Sequence, residues 1–471
     1  MDRSSASFSK LALLGLPLLL GLTGFLSAGE SFLNALFNSI SLYAMNYQDT
    51  PPNLWIEAGR WTAPLATLSG IFMAFSAIRK RIMAYLRYRR GDSVAVYGPE
   101  PEKTLLLNQL GSRGIDGGDR FVRAQRYILL DEDNFAFYTQ NQEALKHSET
   151  YLKCSVLPAQ SVSVPGLYLF CPEETAARLF WKQMNLYEQS VAREHRMNIV
   201  FLGFGRLGAE LLFHGLQDNI FAPDQQITYH IFGAEDSFPA THTQLKSISD
   251  PVLFNDEPWY TQLPLLEGAD VVVVLEQNDQ MALLQSLLLS TNRSQFHVFA
   301  SEHMGIHLLA GQDRLNIIPW QQAQSLEHIL SDMLYRRAKR INLRYAHLYG
   351  GIVENERNQE EQWALLDAFT RYSNISAADY HEIRLSMLKT MGVAADGASV
   401  SPQLLELLAE LEHIRWCRYH YLNNWRQGVP ENGKRKDPAL RIHADLIPYQ
   451  ELTDGEKEKD RENIRILLSI R

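Results

Sequence analysis

Cysteine is scarce in this sequence and gives no pattern that is typical of a covalent or metal framework. The 471 residues contain three cysteines, Cys154, Cys171 and Cys417, and none of them forms a C-x-x-C pair. This spacing excludes a zinc ribbon and gives no disulfide framework. We therefore expect a chain that works in a reducing compartment.

The sequence also lacks an excess of positive charge. It has 45 lysines and arginines against 54 aspartates and glutamates, which gives a formal net charge of -9. Nucleic-acid-binding proteins usually carry a basic field. We therefore expect no nucleic-acid partner.

Recognisable catalytic groups are missing as well. The sequence has no nucleophile elbow, no set of metal ligands and no acid–base pair in a catalytic setting. We therefore predict that the protein is not an enzyme and holds no metal, and we interpret His413 and His443 as structural or hydrogen-bonding residues. An NAD-dependent membrane oxidoreductase is an alternative, disfavoured because nothing after Ile318 supplies a catalytic base.

Two long uncharged runs stand out in the first ninety residues. Leu11–Ala28 and Trp61–Ile78 are each 18 residues long, near the lower limit for crossing the hydrocarbon core of a membrane. The second run is followed by six basic residues, which are Arg79, Lys80, Arg81, Arg87, Arg89 and Arg90. Because the positive-inside rule places such clusters in the cytosol, the sequence predicts a multi-pass protein of the cell (inner) membrane. Lipid would then be a partner, and both termini would be cytoplasmic.

The first run also allows a second interpretation. Arg3 and Lys10 precede it, and Ser27-Ala28-Gly29 has the small residues of a signal-peptide cleavage site. In that case a single span would remain, and the rest of the chain would keep its predicted organisation.

The segment between the two runs resembles the pore region of a two-span potassium channel. Ser31–Tyr43 has helical spacing of apolar residues, and a polar stretch follows it. Six residues fall where a channel filter has threonine, valine, glycine, tyrosine, glycine and aspartate, and these are Ala44, Met45, Asn46, Tyr47, Gln48 and Asp49. Asn46 and Gln48 replace glycines that give the filter its left-handed backbone. The resemblance implies a homotetrameric pore with altered or lost potassium selectivity, and the alternative is a hairpin that only anchors and oligomerises the chain.

A first Rossmann-like unit is predicted after the basic cluster. Ser93–Gly98 and Arg126–Leu130 read as strands, with a helix over Glu102–Leu110 between them. Gly166–Cys171 reads as another strand, followed by a helix over Pro172–Met184. The turn after the first strand contains two glutamates and no glycine fingerprint, so we predict that this unit binds no nucleotide.

A second unit has the complete glycine motif. A strand beginning at Asn198 leads into Gly203, Gly205 and Gly208, which have the G-x-G-x-x-G spacing and precede an amphipathic helix. These glycines permit a tight turn, close approach of a pyrophosphate and close packing of helix on strand. Four further strands are predicted, over Ile227–Phe232, Val271–Leu275, Phe296–Ala300 and Leu315–Ile318. Arg206 and Glu235 complete the predicted site for an adenine nucleotide or NAD(H), and the alternative is a vestigial loop kept for packing.

Two such units behind a two-span module resemble the RCK, or TrkA-N, domains of potassium channels and transporters. The resemblance covers about residues 1–320. It implies a cytosolic ring in which ligand binding pulls on the linker that leads to the pore.

The C-terminal part resembles the ryanodine-receptor (RyR) repeat domain. The residues that carry the resemblance are Leu408, Ala409, Glu410, His413, Trp416, Trp425, Gly428, His443, Leu446, Pro448, Leu452, Glu456, Lys457, Asp460 and Arg461. Asn424 and Ala444 depart from it, at places where the family more often has glycine and proline. The resemblance implies a ligand- or partner-recognition role.

Four residues of this module are candidates for stacking on a nucleotide and pairing with its charge, namely Trp416, Tyr419, Trp425 and Arg426. The alternative is that helical spacing places Trp416 and Tyr419 in the core.

The expected fold class is α/β, with two transmembrane helices and a pore-loop-like segment, two tandem Rossmann-like domains and an all-α RyR-type module. The expected domains are 1–91, 92–196, 197–320, a helical connector over 321–400, and 401–471. The expected function is a ligand-gated ion channel whose cytosolic domains sense a nucleotide. The alternative is a non-conducting, membrane-tethered nucleotide or second-messenger sensor.

Overall fold

The computed structural model describes residues 3–46, 53–118, 120–131, 134–154, 164, 166–233, 237–275, 279–300, 305–309, 311–330, 334–394, 399–431 and 433–469. The α-helices are α1 (Arg3–Ser27), α2 (Phe32–Ser41), α3 (Leu54–Arg89), α4 (Glu102–Leu110), α5 (Asn134–Gln140), α6 (Gln142–Leu145), α7 (Pro172–Met184), α8 (Tyr187–Ala192), α9 (Gly205–Asp218), α10 (Ser237–Thr241), α11 (Leu263–Gly268), α12 (Gln280–Ser290), α13 (Leu326–Leu330), α14 (Arg336–Gly350), α15 (Glu356–Ala364), α16 (Ala368–Thr390), α17 (Pro402–Leu422) and α18 (Asp454–Ser469). The strands are β1 (Val94–Tyr97), β2 (Gly114–Asp116), β3 (Arg126–Leu129), β4 (Glu149–Lys153), β5 (Leu167–Phe170), β6 (Arg196–Leu202), β7 (Gln226–Phe232), β8 (Val252–Asn255), β9 (Val271–Val274), β10 (Phe296–Ala300), β11 (Leu315–Pro319), β12 (Arg426–Gln427), β13 (Lys436–Asp437) and β14 (Ile442–His443).

The chain forms two compact units. The first contains residues 1–95 and 111–126, and the second contains residues 96–110 and 127–471. In the first unit, α1, α2 and α3 pack around a small apolar core that includes Phe25, Leu42 and Ile56. Asn53 joins α1 to the start of α3, because its Nδ2 donates to the Gly24 carbonyl at 3.1 Å.

The prediction of two membrane-spanning helices is wrong. Within the residues that the structure describes, no helix is both long enough and apolar enough to cross a membrane. Some apolar residues of the two runs, such as Phe25 and Ala63, are buried in the core between α1, α2 and α3. Others, such as Leu19, Trp61 and Phe72, are exposed. The fold class is corrected in this respect, and so is the predicted multi-pass location in the inner membrane.

The predicted pore segment is described only in part. Its helix exists as α2, which leads into a 3-10 turn over Leu42–Ala44. Met45 follows with a left-handed backbone, at φ 58°, and the Asn46 amide donates to the Ser41 carbonyl at 3.1 Å. Tyr47, Gln48 and Asp49 lie outside the described residues.

The first α/β part of the second unit contains β3, β4 and β5 side by side, with β4 and β5 parallel. Gly98, at the end of β1, has φ +141°, and a Cβ there would lie 2.5 Å from Leu130 Cβ. This glycine therefore serves the close approach of neighbouring strands. Glu102, at the start of α4, forms an ion pair of 3.1 Å with Lys153 of β4.

The six strands from β6 to β11 form one parallel sheet. Its order is β8-β7-β6-β9-β10-β11, and all five pairings are parallel. This is the 3-2-1-4-5-6 order of a Rossmann fold. Its central strands are buried and rich in valine, isoleucine and phenylalanine, as expected for a sheet covered on both faces. The α/β class is thus confirmed.

The C-terminal module is not all-α. Between α17 and α18 the chain forms a small sheet of order β12-β14-β13, in which each strand has two residues. Gly428, Pro430, Gly433 and Pro438 interrupt this segment, and such residues favour turns over a continued helix. Asn424, which stands where the RyR family more often has glycine, has φ +63°, a conformation that asparagine tolerates.

Helices α16 and α17 are joined to the Rossmann-like sheet by buried polar contacts. Tyr380 of α16 donates to the Ile220 carbonyl at 2.8 Å. Arg178 of α7 binds Asp379 of α16 at 2.6 Å. Arg418 of α17 binds Asp250 at 2.7 Å. The second unit therefore continues from the parallel sheet into the C-terminal helices.

Candidate ligand-binding site

A cavity of about 850 Å³ lies where α7, α9, α16 and the C-terminal module meet. We call it the composite cavity. Its lining includes Glu174 of α7, Glu210 and Phe213 of α9, Phe369 near the start of α16, and Trp416 of α17. This volume lies within the usual range for small-molecule sites.

One wall of the composite cavity is aromatic. It is formed by Phe369, Trp416, Tyr419, His420, Trp425 and His443, which we call the aromatic wall. Trp416 and His420 are one turn apart on α17, and their ring centroids are 4.0 Å apart. His443 meets Trp416 edge-to-face at 4.9 Å, and Phe369 lies 5.3 Å from Trp425. Phe369, Trp416 and His443 are partly exposed and provide faces on which a planar heterocycle can stack. Tyr419, His420 and Trp425 are only 2%, 5% and 6% exposed, so Tyr419 lies in the core, as the alternative interpretation expected.

Hydrogen bonds hold the aromatic wall in place. The Tyr419 hydroxyl donates to the Phe369 carbonyl at 2.6 Å. His420 Nδ1 lies 2.8 Å from the Trp416 carbonyl, so this nitrogen carries a proton and donates. Burial lowers the pKa of His420 to about 3, which leaves its ring neutral at physiological pH.

The facing wall belongs to the Rossmann-like domain. Phe238 and His242 have ring centroids 4.2 Å apart, and Phe213 lies 5.7 Å from His242. His242 Nδ1 donates to the Leu422 carbonyl at the end of α17, at 2.6 Å. Burial lowers the pKa of His242. The two walls are therefore linked directly.

The charged groups of the composite cavity are segregated by element. The acids are Glu174 of α7, Glu210 of α9 and Asp367 at the start of α16, whereas the cations Lys436 and Arg441 come from the C-terminal module. Lys436 lies opposite His443 in the pairing of β13 with β14. Arg441 donates to the Asn423 carbonyl at 3.2 Å. The cavity thus offers carboxyls on one side and cations on another.

A second cavity of about 620 Å³ lies at the carboxyl ends of β6, β7 and β8, and we call it the glycine-motif crevice. Gly203 and Gly233 line it, together with the acids Asp256, Glu257 and Asp279. Its lining among the described residues contains no lysine or arginine. Among the described residues, the crevice therefore contains acids that can bind the hydroxyls of a ribose, but no basic side chain that can bind a pyrophosphate.

The three glycines of the predicted motif have different structural roles. Gly203 and Gly205 have φ +85° and +53°, and a Cβ on Gly205 would meet open space. Gly208 is tightly packed, since a Cβ there would lie 2.7 Å from the Phe204 ring. Arg206 is exposed and does not line the crevice. Glu235 lies outside the described residues.

Of the candidates in the C-terminal module, Trp416, Tyr419 and Trp425 line the composite cavity. Arg426 is exposed in β12 and does not. Sequence reasoning missed Glu210 and His214, although they lie one helical turn apart just behind the glycine motif. It also missed Phe369, which no motif singles out.

Comparison with known families agrees with the C-terminal prediction. Residues 399–470 match the family model of the RyR domain. No curated protein matches the chain in a sequence search. The fold and the site define an α/β protein with a parallel Rossmann-like sheet and a C-terminal RyR domain. The resemblances to potassium channels and to RCK domains stay unconfirmed.

Proposed function

We propose that the protein is a sensor of a nucleotide or nucleotide-like second messenger, which binds in the composite cavity. The observation that carries the proposal is that one cavity takes residues both from the RyR domain and from the helix that follows the glycine motif. A ligand held there contacts both parts at once. It therefore stabilises the arrangement in which they are joined.

The chemistry of the composite cavity favours a nucleotide over other small molecules. The aromatic wall suits a base, because every base has a π-face that can stack on tryptophan or histidine. Lys436 and Arg441 suit a phosphate, to which both side chains are standard partners. An apolar ligand would offer no polar partner to these cations or to the three carboxyls of the lining, which belong to Glu174, Glu210 and Asp367.

The link between ligand and response is the packing of α17 on the Rossmann-like domain. His242 donates to the last residue of α17, and Arg418 of the same helix is held by Asp250. A ligand on the aromatic wall therefore acts on a helix that is already tied to the sheet. We expect binding to stiffen this connection, as differential binding to one arrangement requires.

The ion-channel part of the expected function is not proposed. It depends on two membrane spans, and no described helix qualifies as one. The tetramer and the lipid contact follow only from the pore, so neither is part of this proposal.

The glycine-motif crevice supports a second, smaller proposal. Gly203 lines the crevice and has positive φ, a conformation that glycine adopts readily where a backbone approaches a ligand. The acids in the lining suit the hydroxyls of a ribose. We propose that an adenine nucleotide or NAD(H) binds here through its nucleoside part.

A calorimetric titration with two tryptophan variants tests which cavity binds the ligand. The probes are AMP, cyclic AMP, ATP and NAD⁺, added to the full chain. Loss of one stacking partner costs about 1 to 3 kcal/mol, so Trp416→Leu should weaken binding of the tightest probe by about 5- to 150-fold. Trp259→Leu, which alters the glycine-motif crevice, is the matched control and should change that affinity by less than about twofold. The proposal fails if no probe binds, or if only the Trp259 variant loses binding.

A further inference from the structure

His443 of β14 has two ring nitrogens with different roles. The backbone amide of Asp445 donates to His443 Nδ1 at 3.1 Å. A nitrogen that accepts in this way carries no proton, so the proton of the neutral ring is on Nε2. Burial lowers the pKa of His443, which keeps the ring neutral near pH 7. The hydrogen bond to the backbone therefore makes Nε2 a donor.

This Nε2 donor is open to a ligand. His443 lines the composite cavity, and its side chain is 12% exposed. Among the described residues no group accepts from Nε2, and the atom is not closed off from solvent. Trp416, His420 and Trp425 enclose the ring, with centroids at 4.9, 5.9 and 6.3 Å. The accessible N–H therefore opens on the cavity that these rings line.

A lysine stands beside this donor. Lys436 of β13 lies directly opposite His443 in the antiparallel pairing of β13 with β14, so the two side chains leave the same face of the small sheet. Lys436 is exposed, and it lines the composite cavity as His443 does. An ammonium and an imidazole N–H can only donate. The pair therefore suits an anionic group with several acceptor oxygens, such as a phosphate.

The carboxylate beside His443 does not cancel the positive charge of this pair. Asp445 Oδ2 lies 3.9 Å from His443 Nδ1. The same oxygen accepts from Arg435 Nε at 3.0 Å, so the charge of Asp445 is balanced by an arginine of the same module. The effect of Asp445 on the pKa of His443 is also smaller than that of burial. The charge of Lys436 is therefore left for a ligand.

His420 has the opposite polarity on the same wall. Its Nδ1 donates to the Trp416 carbonyl at 2.8 Å, so the Nε2 of the neutral ring has a lone pair and accepts. The ring centroids of His420 and His443 are 5.9 Å apart. A phosphate oxygen beside His420 would face another acceptor, whereas a hydroxyl or amino group of a nucleoside would find a partner. The two histidines therefore distinguish the two ends of a nucleotide.

We propose that Lys436 and His443 bind the phosphate of the ligand, with His443 donating from Nε2, and that His420 faces the uncharged nucleoside part. This assignment rests on the proposed function, because it places the charged group of the ligand of the same cavity. The small sheet of the RyR domain then supplies the phosphate contacts. His443 contacts the ligand in addition to accepting from the Asp445 amide.

A comparison of nucleotide with nucleoside measures the contribution of the phosphate. AMP, cyclic AMP, ATP and NAD⁺ all contain adenosine, so the tightest of these four and adenosine itself are titrated into the full chain. Wild type should bind the nucleotide at least about tenfold more tightly, because hydrogen bonds to a charged group are strong. Lys436→Met should lower this preference at least about fivefold. Arg426→Met alters an exposed arginine that does not line the cavity and should leave the preference unchanged.

Two substitutions of His443 separate contact with the ligand from a purely structural role. His443→Leu removes the donor and should lower the preference for the nucleotide at least about threefold, with the affinity for adenosine changed less than about twofold. Glutamine offers an amide N–H about where imidazole has Nε2, so His443→Gln should restore the preference to within about twofold of wild type. A purely structural role would weaken both probes alike. Lys436→Met changes an exposed side chain and keeps the test valid where the leucine variant does not fold.

The outcomes separate the two proposals. Equal binding of nucleotide and adenosine that still depends on Trp416 overturns the phosphate assignment and leaves the sensor function standing. A preference for the nucleotide that survives both Lys436→Met and His443→Leu has the same consequence. If none of the four nucleotides binds, both proposals fail.

Discussion

At the scale of single residues, Arg418 has a clear structural role, which is to form a buried ion pair with Asp250. Its side chain and that of Asp250 are 3% and 0% exposed, and their charged atoms are 2.7 Å apart. Asp250 also accepts from the Ile227 amide at 3.0 Å and from Gln225 Nε2 at 2.8 Å. Arg418 lies beside the residues predicted from sequence to touch a ligand, and only the fold shows that it fastens α17 to the Rossmann-like domain.

We expect Arg418→Met to destabilise the protein by about 3 to 5 kcal/mol, because it leaves the Asp250 carboxylate buried without its cation. Urea denaturation of the full chain measures this free energy. Arg426→Met changes an exposed arginine of the same module and should alter stability by less than about 0.5 kcal/mol. A loss below about 1 kcal/mol for Arg418→Met would show that the pair does not hold the two parts together.

At the scale of secondary-structure elements, regular segments were predictable and short ones were not. Helices α4 and α7 and strand β10 begin and end where the sequence pattern places them. β8 was missed because three of its four residues are only partly buried, Leu253 is exposed, and the strand carries no clear alternation. The two-residue strands of the RyR domain were missed because their pairing depends on the fold, and a strand of that length has no periodicity.

Two positions near the start of α9 require glycine for different structural reasons, which a set of substitutions can distinguish. Gly205 has a left-handed backbone in open space, so Gly205→Ala should cost about 1 to 2 kcal/mol of stability, and Gly205→Asn should cost less. Gly208 is limited by space beside Phe204 and Leu275, so Gly208→Ala should cost about 1 to 3 kcal/mol and Gly208→Asn more. Thermal or urea unfolding of the four variants checks this order. The same ranking of alanine and asparagine at both positions would contradict it.

At the scale of the whole molecule, the charge pattern and the C-terminal family were readable from sequence, and the composite cavity only in part, through Trp416, Tyr419 and Trp425. The composite cavity collects residues from α7, α9, α16 and α17, which are far apart in the chain. No local pattern relates Glu174 to Trp416. The apolar runs near the N-terminus led to a wrong prediction, because a hydrophobic stretch by itself does not distinguish a span from the packing of helices on one another.

Buried titratable groups give the whole molecule a predicted pH optimum of stability. Burial lowers the pKa of His214, His381 and His420 to about 3, 2 and 3. The unfolded chain therefore binds more protons than the folded one below about pH 6.5, and stability falls on acidification. Burial raises the pKa of Glu174 and Glu210 to about 7 and 8, so the folded chain binds more protons up to that range, and stability falls on alkalinisation.

These opposite slopes place the maximum near pH 6.5. We expect a loss of about 1 to 2 kcal/mol between pH 6.5 and pH 8 from the two carboxyls. Urea denaturation across this range measures the slope. The Glu174→Gln, Glu210→Gln double variant should make the alkaline side less steep by this amount and leave the acidic side unchanged. Part of the alkaline slope should remain, because desolvation of His413 is outweighed by its hydrogen bonds to Asp460 and Cys417, which raise its pKa to about 10. Stability that rises from pH 6.5 to pH 8 in the wild type would contradict the assignment of raised pKa values.

The length of α16 has a mechanical consequence. Its first turn supplies Phe369 to the aromatic wall, and its last residue, Thr390, bonds to Glu188 of α8 at 3.1 Å. A helix of 23 residues spans about 34 Å and is stiff along its axis. A ligand bound as proposed, if it tilted or shifted the first turn, would therefore displace the far end of the helix as well. The surface around Thr390 and Glu188 would then respond to the cavity without touching the ligand.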